Sequence, residues 1–527
     1  MKPAYFKSWI KDWDWGIRIA LLLILLSALM QLGLFALTGN YVAAYLGAQP
    51  EDVLFCLMST YSGIIAILPL QFRLLRYFEI RGYLIFNIVL AILLNCLCFG
   101  CQDINWLFVI RFLQGILVGS INVSVLILIF SRVPGERAQL IGAAVFYPAI
   151  LSNIVLVALI ASVVLEAADW KVTYYCLIGL QLVTLLIALL MLRRHAGHRR
   201  FPLYQLDWVG AILIACSGLS LAYTFIYGSK YYWFDDIRIC YSGAIATIGI
   251  LLFLYRQSII KRPLVHLAVF KSIHFVIGIC LLGIYYGGKD SINLVYNYAF
   301  GILRWSPVQV ITLGLCNIAG MVGLVIFSTQ LMIRKKQAIQ YFLVTGFGLL
   351  GLFNVWMWFI LTPDLSFTDL LLPMFIQGAA SGLLFVPITI YILTSAPGFS
   401  GTSGIVLAAF TRFIATLNSM AGFYNLQLYY NQYFKEGFLG SITAENQNTI
   451  ARLNTYRSLY VLKGYSPEQG SGIALGAIWQ NLGLQSQLLT SRAVFMTFAL
   501  MLLGTALLVL FVPAAAKTWQ QWKVAIR

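Results

Sequence analysis

Four ionisable side chains lie deep inside long apolar runs of this 527-residue chain: Arg111, Lys289, Asp290 and Arg412. Asp290 is the one carboxylate well inside such a run, since Asp207 and Asp369 stand at run edges. A desolvated carboxylate close to a cation can be poised to gain and lose a proton. One reading of Asp290 is therefore proton coupling; the competing reading is a structural ion pair between helices. Lys289 is adjacent in sequence, but helix neighbours point about 100° apart, so the spacing predicts that Asp290 finds its partner elsewhere. Gly287 and Gly288 would let the helix bend there. Arg111 either takes part in moving a substrate or holds helices together by bonding carbonyls or Gln114. Gln114, Asn122, Lys289, Gln377, Arg412 and Asn418 are candidate cavity-lining groups, with helix–helix hydrogen bonding as the alternative for the amides.

The elements that must position these groups follow from composition. Apolar residues make up 61% and charged residues 10%, and the mean hydropathy is +0.86. A soluble chain carries about 25% charged residues, so a lipid bilayer is the solvent here. Disorder is excluded on the same grounds. Nine cysteines, mostly within apolar runs, form no disulfide framework. A bilayer-spanning helix needs about 20 apolar residues. Fourteen runs qualify: 17–40, 53–72, 82–100, 106–131, 138–165, 172–192, 207–228, 239–255, 273–300, 307–331, 341–362, 369–394, 403–428 and 491–513. Lys2, Lys7 and Lys11 together with Trp9, Trp13 and Trp15 precede a run too long for a cleavable signal, so the tryptophans read as interfacial anchors.

The net charge of +17 does not point to nucleic acid. With both termini placed in the cytoplasm, 23 of the 35 lysines and arginines fall on inner segments and nine on outer ones; the other three are Arg111, Lys289 and Arg412. Cytoplasmic loops collect positive charge, so the excess is topological.

The chain also repeats itself at an offset of 263. Residues 111–137 and 374–400 share nine identities in 27 positions without a gap, among them Gln114/Gln377, Gly115/Gly378 and Gly119/Gly382. Each copy carries Q-G-x-x-x-G, whose glycines allow close helix approach. The repeat pairs the fourth run with the twelfth and implies six spans, two extra spans, then six more. Duplicated halves around a central site are a transporter architecture.

Several local matches resemble the major facilitator superfamily, in particular its fourteen-span drug:proton antiporters. Arg111 to Gly119 is similar to the R-x-x-Q-G-x-x-x-G motif of span 4. Asp169 to Thr173 (DWKVT) is similar to the element opening span 6. Pro263 and Leu264, with Leu267, Phe270 and Phe275, resemble the lead into span 9; Gly301 to Pro307 (GILRWSP) resembles the outer loop after it. Arg412 resembles the arginine of span 13. Departures are visible: Leu70 to Arg81 keeps its arginines but lacks the family's Asp and Gly, and in span 5 only Pro148 clearly matches.

The resemblance implies an all-α membrane protein with the major facilitator fold and 14 transmembrane helices in a 6+2+6 arrangement. Residues 1–200 would form one six-helix bundle and 201–262 two linking helices. Residues 263–527 would form the second bundle, with a long outer loop at 429–490. The implied function is a secondary active transporter, a proton-coupled exporter of small amphipathic molecules acting by alternating access. It would sit in a bacterial inner membrane, with the bilayer, a small-molecule substrate and protons as partners. Periplasmic or outer-membrane efflux partners are compatible with it. In the family the arginine at position 111 is associated with proton transfer and the central cavity. Asp290 and Arg111 are then the proton-coupling candidates, and Gly115, Gly119, Gly378, Gly382 and Pro148 the helix-packing set.

No cofactor or metal is expected. Cys98-Phe-Gly-Cys101 and the histidines of RRHAGHRR (His195, His198) read as an apolar helix end and a solvated basic link. No P-loop is present, which disfavours ATP-driven pumping. Two other classes compete: a transporter-like receptor or scaffold, and a membrane enzyme acting on lipid-linked substrates. None of the four histidines is grouped with carboxylates inside the runs, so the converging acid, base and nucleophile that an enzyme needs are missing.

Overall fold

The computed structural model describes residues 5–10, 12–132, 153, 157, 172–194, 202–203, 206–334, 339–396, 401–443 and 445–525. The fifth apolar run (138–165) apart from Asn153 and Val157, Pro148, Asp169 to Lys171 and the two histidines of the basic link lie outside these residues. Among the described residues the chain is helical, with one isolated antiparallel bridge between Phe6 and Leu192. The helices are α1 (Asp14–Leu46), α2 (Pro50–Tyr77), α3 (Ile80–Gly100), α4 (Ile104–Arg132), α5 (Val172–Met191), α6 (Trp208–Tyr227), α7 (Ile237–Ile259) and α8 (Ile273–Lys289). They continue as α9 (Ile292–Gly301), α10 (Pro307–Arg334), α11 (Ile339–Ile360), α12 (Phe367–Ser395), α13 (Gly401–Leu417), α14 (Phe423–Ser441), α15 (Gln447–Leu462) and α16 (Pro467–Ala525). Thirteen stretches among them are long and apolar enough to cross a membrane, and they coincide with the thirteen expected runs other than 138–165.

Local chemistry sets the helix ends. Pro50 opens α2, where its missing N–H costs nothing, and Asp52 accepts from the Gln49 N–H at 2.9 Å. Asp369 does the same for the Ser366 N–H that precedes α12. Gly47, at φ +62°, closes α1 in the left-handed conformation.

Packing divides the buried apolar residues into two large clusters. One joins α1 to α7, with Leu25, Leu84, Val118 and Leu128 at its centre. The other joins α8 to α13 and α16, around Phe275, Phe347, Phe353 and Phe495. Helix α13 meets both: Val406, Phe413 and Leu417 enter the first cluster and Ala415 the second. The large apolar side chains left exposed on α3, α5 and α7, such as Phe86, Leu186 and Leu251, face where lipid belongs.

The internal repeat has a structural counterpart. Helices α2 and α4 cross so closely that a Cβ on Gly115 would strike the Thr60 carbonyl, and one on Gly63 the Phe112 carbonyl. Helices α10 and α12 cross the same way: Gly378 faces the Asn317 carbonyl and Gly320 the Phe375 carbonyl. Gly115/Gly378 and Phe112/Phe375 are repeat-related pairs, so both helix crossings rest on the same positions of the motif.

Helix α6 packs on α2 and α7 on α6, and the pair is tied to α2 at both ends. Tyr227 donates to Asp52 on one face. On the other face, Arg73 donates to the Pro263 carbonyl at 2.8 Å and to the Arg262 carbonyl. Beside it, buried Asp207 caps α6 by accepting from the Gly210 N–H at 2.9 Å. It also takes Arg256 Nε at 2.7 Å and Gln257 Nε2 at 2.9 Å. Burial alone would raise the Asp207 pKa; these hydrogen bonds outweigh it and hold the carboxyl below its usual range.

The segment 429–490, expected as an outer loop, is helical over most of its length. Helix α14 continues to Ser441, α15 covers Gln447–Leu462, and α16 begins at Pro467, well before its apolar run. Helices α14 and α15 both pack along α16, with Ser486 Oγ donating to the Asn431 carbonyl at 3.1 Å.

Candidate functional site

Helix α8 ends in mid-run. Gly287 and Gly288 precede Lys289, and Asp290 and Ser291 form a turn before α9 resumes at Ile292. At the expected bend there is a two-residue turn in which Asp290 and Ser291 keep right-handed helical φ/ψ and the Asp290 N–H still donates to the Tyr286 carbonyl. The expectation that Asp290 would pair elsewhere is corrected. Lys289 Nζ and Asp290 Oδ1 form an ion pair at 2.9 Å across the start of this turn.

The turn is held from two sides. Asp290 Oδ2 accepts from Ser419 Oγ at 2.7 Å, and Ser419 lies in a π-helical turn, Asn418–Gly422, that links α13 to α14. The Lys289 carbonyl, freed by the helix end, accepts from Gln377 Nε2 at 2.9 Å. Gln377 Oε1 in turn accepts from Asn317 Nδ2 of α10, which also donates to the Met374 carbonyl. Arg412 of α13 places its guanidinium 5.5 Å from the ring centre of Tyr286, with Lys289 Nζ at 5.9 Å from the same ring.

Arg111 anchors a separate polar chain between α1, α3, α4 and α5. Its guanidinium is buried, lies 4.2 Å over the Phe35 ring, and donates through Nη1 to Gln114 Oε1 at 2.7 Å and to the Gln31 carbonyl at 3.2 Å. Gln114 Nε2 donates to Asn95 Oδ1, and Asn95 Nδ2 to Gln181 Oε1. No carboxylate pairs with Arg111 among the described residues. The two repeat-related glutamines thus do corresponding work: each carbonyl oxygen takes a side-chain donor, and each amide reaches a neighbouring element.

Of the other candidates, Asn122 is buried about three turns beyond Arg111 and joins no part of that chain. Asn418 is exposed beside Ser419. Gly119 packs against Ile67 of α2 and Gly382 against the Met321 carbonyl of α10, each at a close helix contact. Ser419, Asn317, Asn95 and Gln181 were not singled out from the sequence. The available signal was a lone polar side chain in an apolar run, which is costly in lipid. Among the described residues no group of three or more His, Cys, Asp or Glu is placed to hold a metal ion.

A duplicated glycine-crossed helix pair and a membrane helix with a turn carrying a partly buried charge pair are compatible with a transporter, in which irregular helices form binding sites. The chain belongs to the Major Facilitator Superfamily, whose family model matches residues 19–422. It is 20% identical over 426 residues to the probable multidrug resistance protein EmrY of Escherichia coli (strain K12), covering 77% of this chain and 78% of that one. It is 24% identical over 376 residues to multidrug resistance protein 3 of Bacillus subtilis (strain 168), covering 69% and 70%. Among solved structures, the POT family transporter PepTSo superposes with a TM-score of 0.56 at 13% identity, over 96% of this chain and 99% of that one. The human organic anion transporter MFSD10 gives 0.51 at 11%, over 94% and 98%. At these identities the superpositions speak for the fold alone. The relatives are transport proteins rather than enzymes.

Proposed function

We propose that this protein is a proton-coupled exporter of small amphipathic molecules, with Asp290 as the titrating group. The observation that carries the reading is the position of Asp290: a carboxylate at the turn between α8 and α9, within the apolar stretch Ile273–Ala299, paired to Lys289 and hydrogen-bonded to a π-turn on another helix. Protonation removes the charge that holds Lys289 and changes the bond to Ser419. Irregular turns and π-turns are points where a helix bends most easily, so the proton acts where the backbone can respond. Residues 1–200 and 263–527 would rock about this site as two bundles, with 201–262 as the extra pair. Names of the relatives as multidrug resistance proteins support the export direction. The basic bias of alternate segments supports cytoplasmic termini in a bacterial inner membrane.

The test is flux into proteoliposomes with and without a pH gradient. Asp290→Asn should abolish gradient-driven flux while substrate binding persists. The double variant Lys289→Met, Asp290→Asn, which removes the pair together, should behave alike and controls for an orphaned lysine. Full gradient-driven flux in both folded variants would show that the titrating group lies elsewhere.

A further inference from the structure

The charges at the α8–α9 turn do not cancel. Asp290 is fully engaged, one oxygen with Lys289 and the other with Ser419. That leaves Arg412, which makes no ion pair with any carboxylate among the described residues and lies against the face of Tyr286. The nearest carboxylate in this region is that of Asp290, which is paired with Lys289. Tyrosines are uncharged at neutral pH, so the Tyr286 ring lies against the guanidinium without neutralising it. Arginine cannot shed its proton to escape the cost of burial. The site therefore keeps one surplus positive charge, in a planar fork that suits two oxygens of a carboxylate, sulfonate or phosphate. Arg111, with no carboxylate partner, adds positive potential from the other half of the chain.

We infer that Arg412 is the receptor for the anionic group of the substrate, so that the molecules carried are organic anions with an aromatic or apolar body. The inference rests on the transport reading and sharpens it. The ring of Tyr286, against which the Arg412 guanidinium lies, supplies an aromatic surface beside the anion. A lipophilic cation at the same place meets Arg412 directly and finds its natural counterion, Asp290, already paired.

The experiment reads binding by purified protein in lipid nanodiscs at fixed pH with no gradient, as ligand-induced thermal stabilisation. The probes are matched aromatic pairs: naphthoates and biphenylcarboxylates against the corresponding methylammonium compounds. Carboxylates should stabilise the protein and ammonium compounds should not. Arg412→Gln should weaken carboxylate binding at least tenfold, and Arg412→Lys, which keeps the charge but not the fork, should fall between. Stabilisation by the cations, no response to any carboxylate, or undiminished carboxylate binding in a folded Arg412→Gln protein would overturn the inference. Because no gradient is involved, a failure of Asp290 to couple protons leaves this result untouched, and gradient-driven flux of cations would sink this inference while sparing the coupling role.

Discussion

The Asp290 carboxylate and the Ser419 hydroxyl meet at 2.7 Å, joining the turn between α8 and α9 to the π-turn between α13 and α14. Two irregular stretches of backbone, some 130 residues apart in sequence, thus share one hydrogen bond.

Separating the charges of the α8–α9 turn should be worse than deleting both. Removing one partner of a largely buried pair costs about 3–5 kcal/mol, whereas replacing the whole pair is far milder. Asp290→Asn should therefore lower the unfolding temperature in detergent more than Lys289→Met, Asp290→Asn does. Additive losses in the double variant would show that the pair contributes no coupling energy.

The two repeat-related glutamines should have similar structural weight. Gln114→Leu strips partners from Arg111 and Asn95, and Gln377→Leu strips them from the Lys289 carbonyl and Asn317. Each buried group left unsatisfied costs about 1–3 kcal/mol. Both variants should melt several degrees lower than the parent in differential scanning fluorimetry, and an unchanged melting point in either would mean that its network is already replaced by water.

Glycines at the two helix crossings should resist any side chain. Gly115→Val and Gly378→Val must push the α2/α4 and α10/α12 pairs apart, because carbonyls rather than flexible side chains stand in the way. Overpacking of this kind costs about 1–3 kcal/mol or more. Gly323→Ala, on the same α10 but with nothing near its Cβ, is the matched control. Monodisperse elution of both valine variants at parental yield would contradict the close crossings.

Acid should selectively loosen the tie between α6 and α7. The Asp207 carboxyl is held below its usual range, so its stabilising contribution is fully present above the unfolded pKa of about 3.9 and is lost as pH falls through the lower folded value. The gap in melting temperature between the parent and Asp207→Asn should thus be constant from pH 5 to 8 and close below about pH 4. A gap that changes near neutral pH would assign the effect to another group.

Run length alone made the membrane helices legible, because a bilayer demands about 20 apolar residues and little else in a sequence imitates that. The repeat was legible for a related reason: Gly115 and Gly378 sit where backbones touch, and only glycine fits. What was not legible depended on contacts between distant segments. Asn95, Gln181, Asn317 and Ser419 each look like one polar residue in an apolar run, and helix packing alone decides which amide meets which. The pairing of Lys289 with Asp290 required knowing that a turn begins there; Gly287 and Gly288 hinted at a bend but not at its extent. Residues 429–490 lack an apolar run, so the bilayer criterion is silent there. Their helicity comes from the company of α16, against which α14 and α15 pack.

Helix α16 runs unbroken for 59 residues, which at 1.5 Å per residue is roughly 88 Å. Its stretch before the last apolar run extends roughly 36 Å by the same rise. A rod of that reach works as a lever. Tilting the membrane part by about 5° sweeps the far tip sideways by about 3 Å, and α14 and α15, strapped along it, travel with the tip. Any tilt of the apolar part of α16 is therefore displayed, magnified, at its N-terminal tip, and a pair of labels near Gly464 and on the α6–α7 turn would report such a tilt as a change of distance.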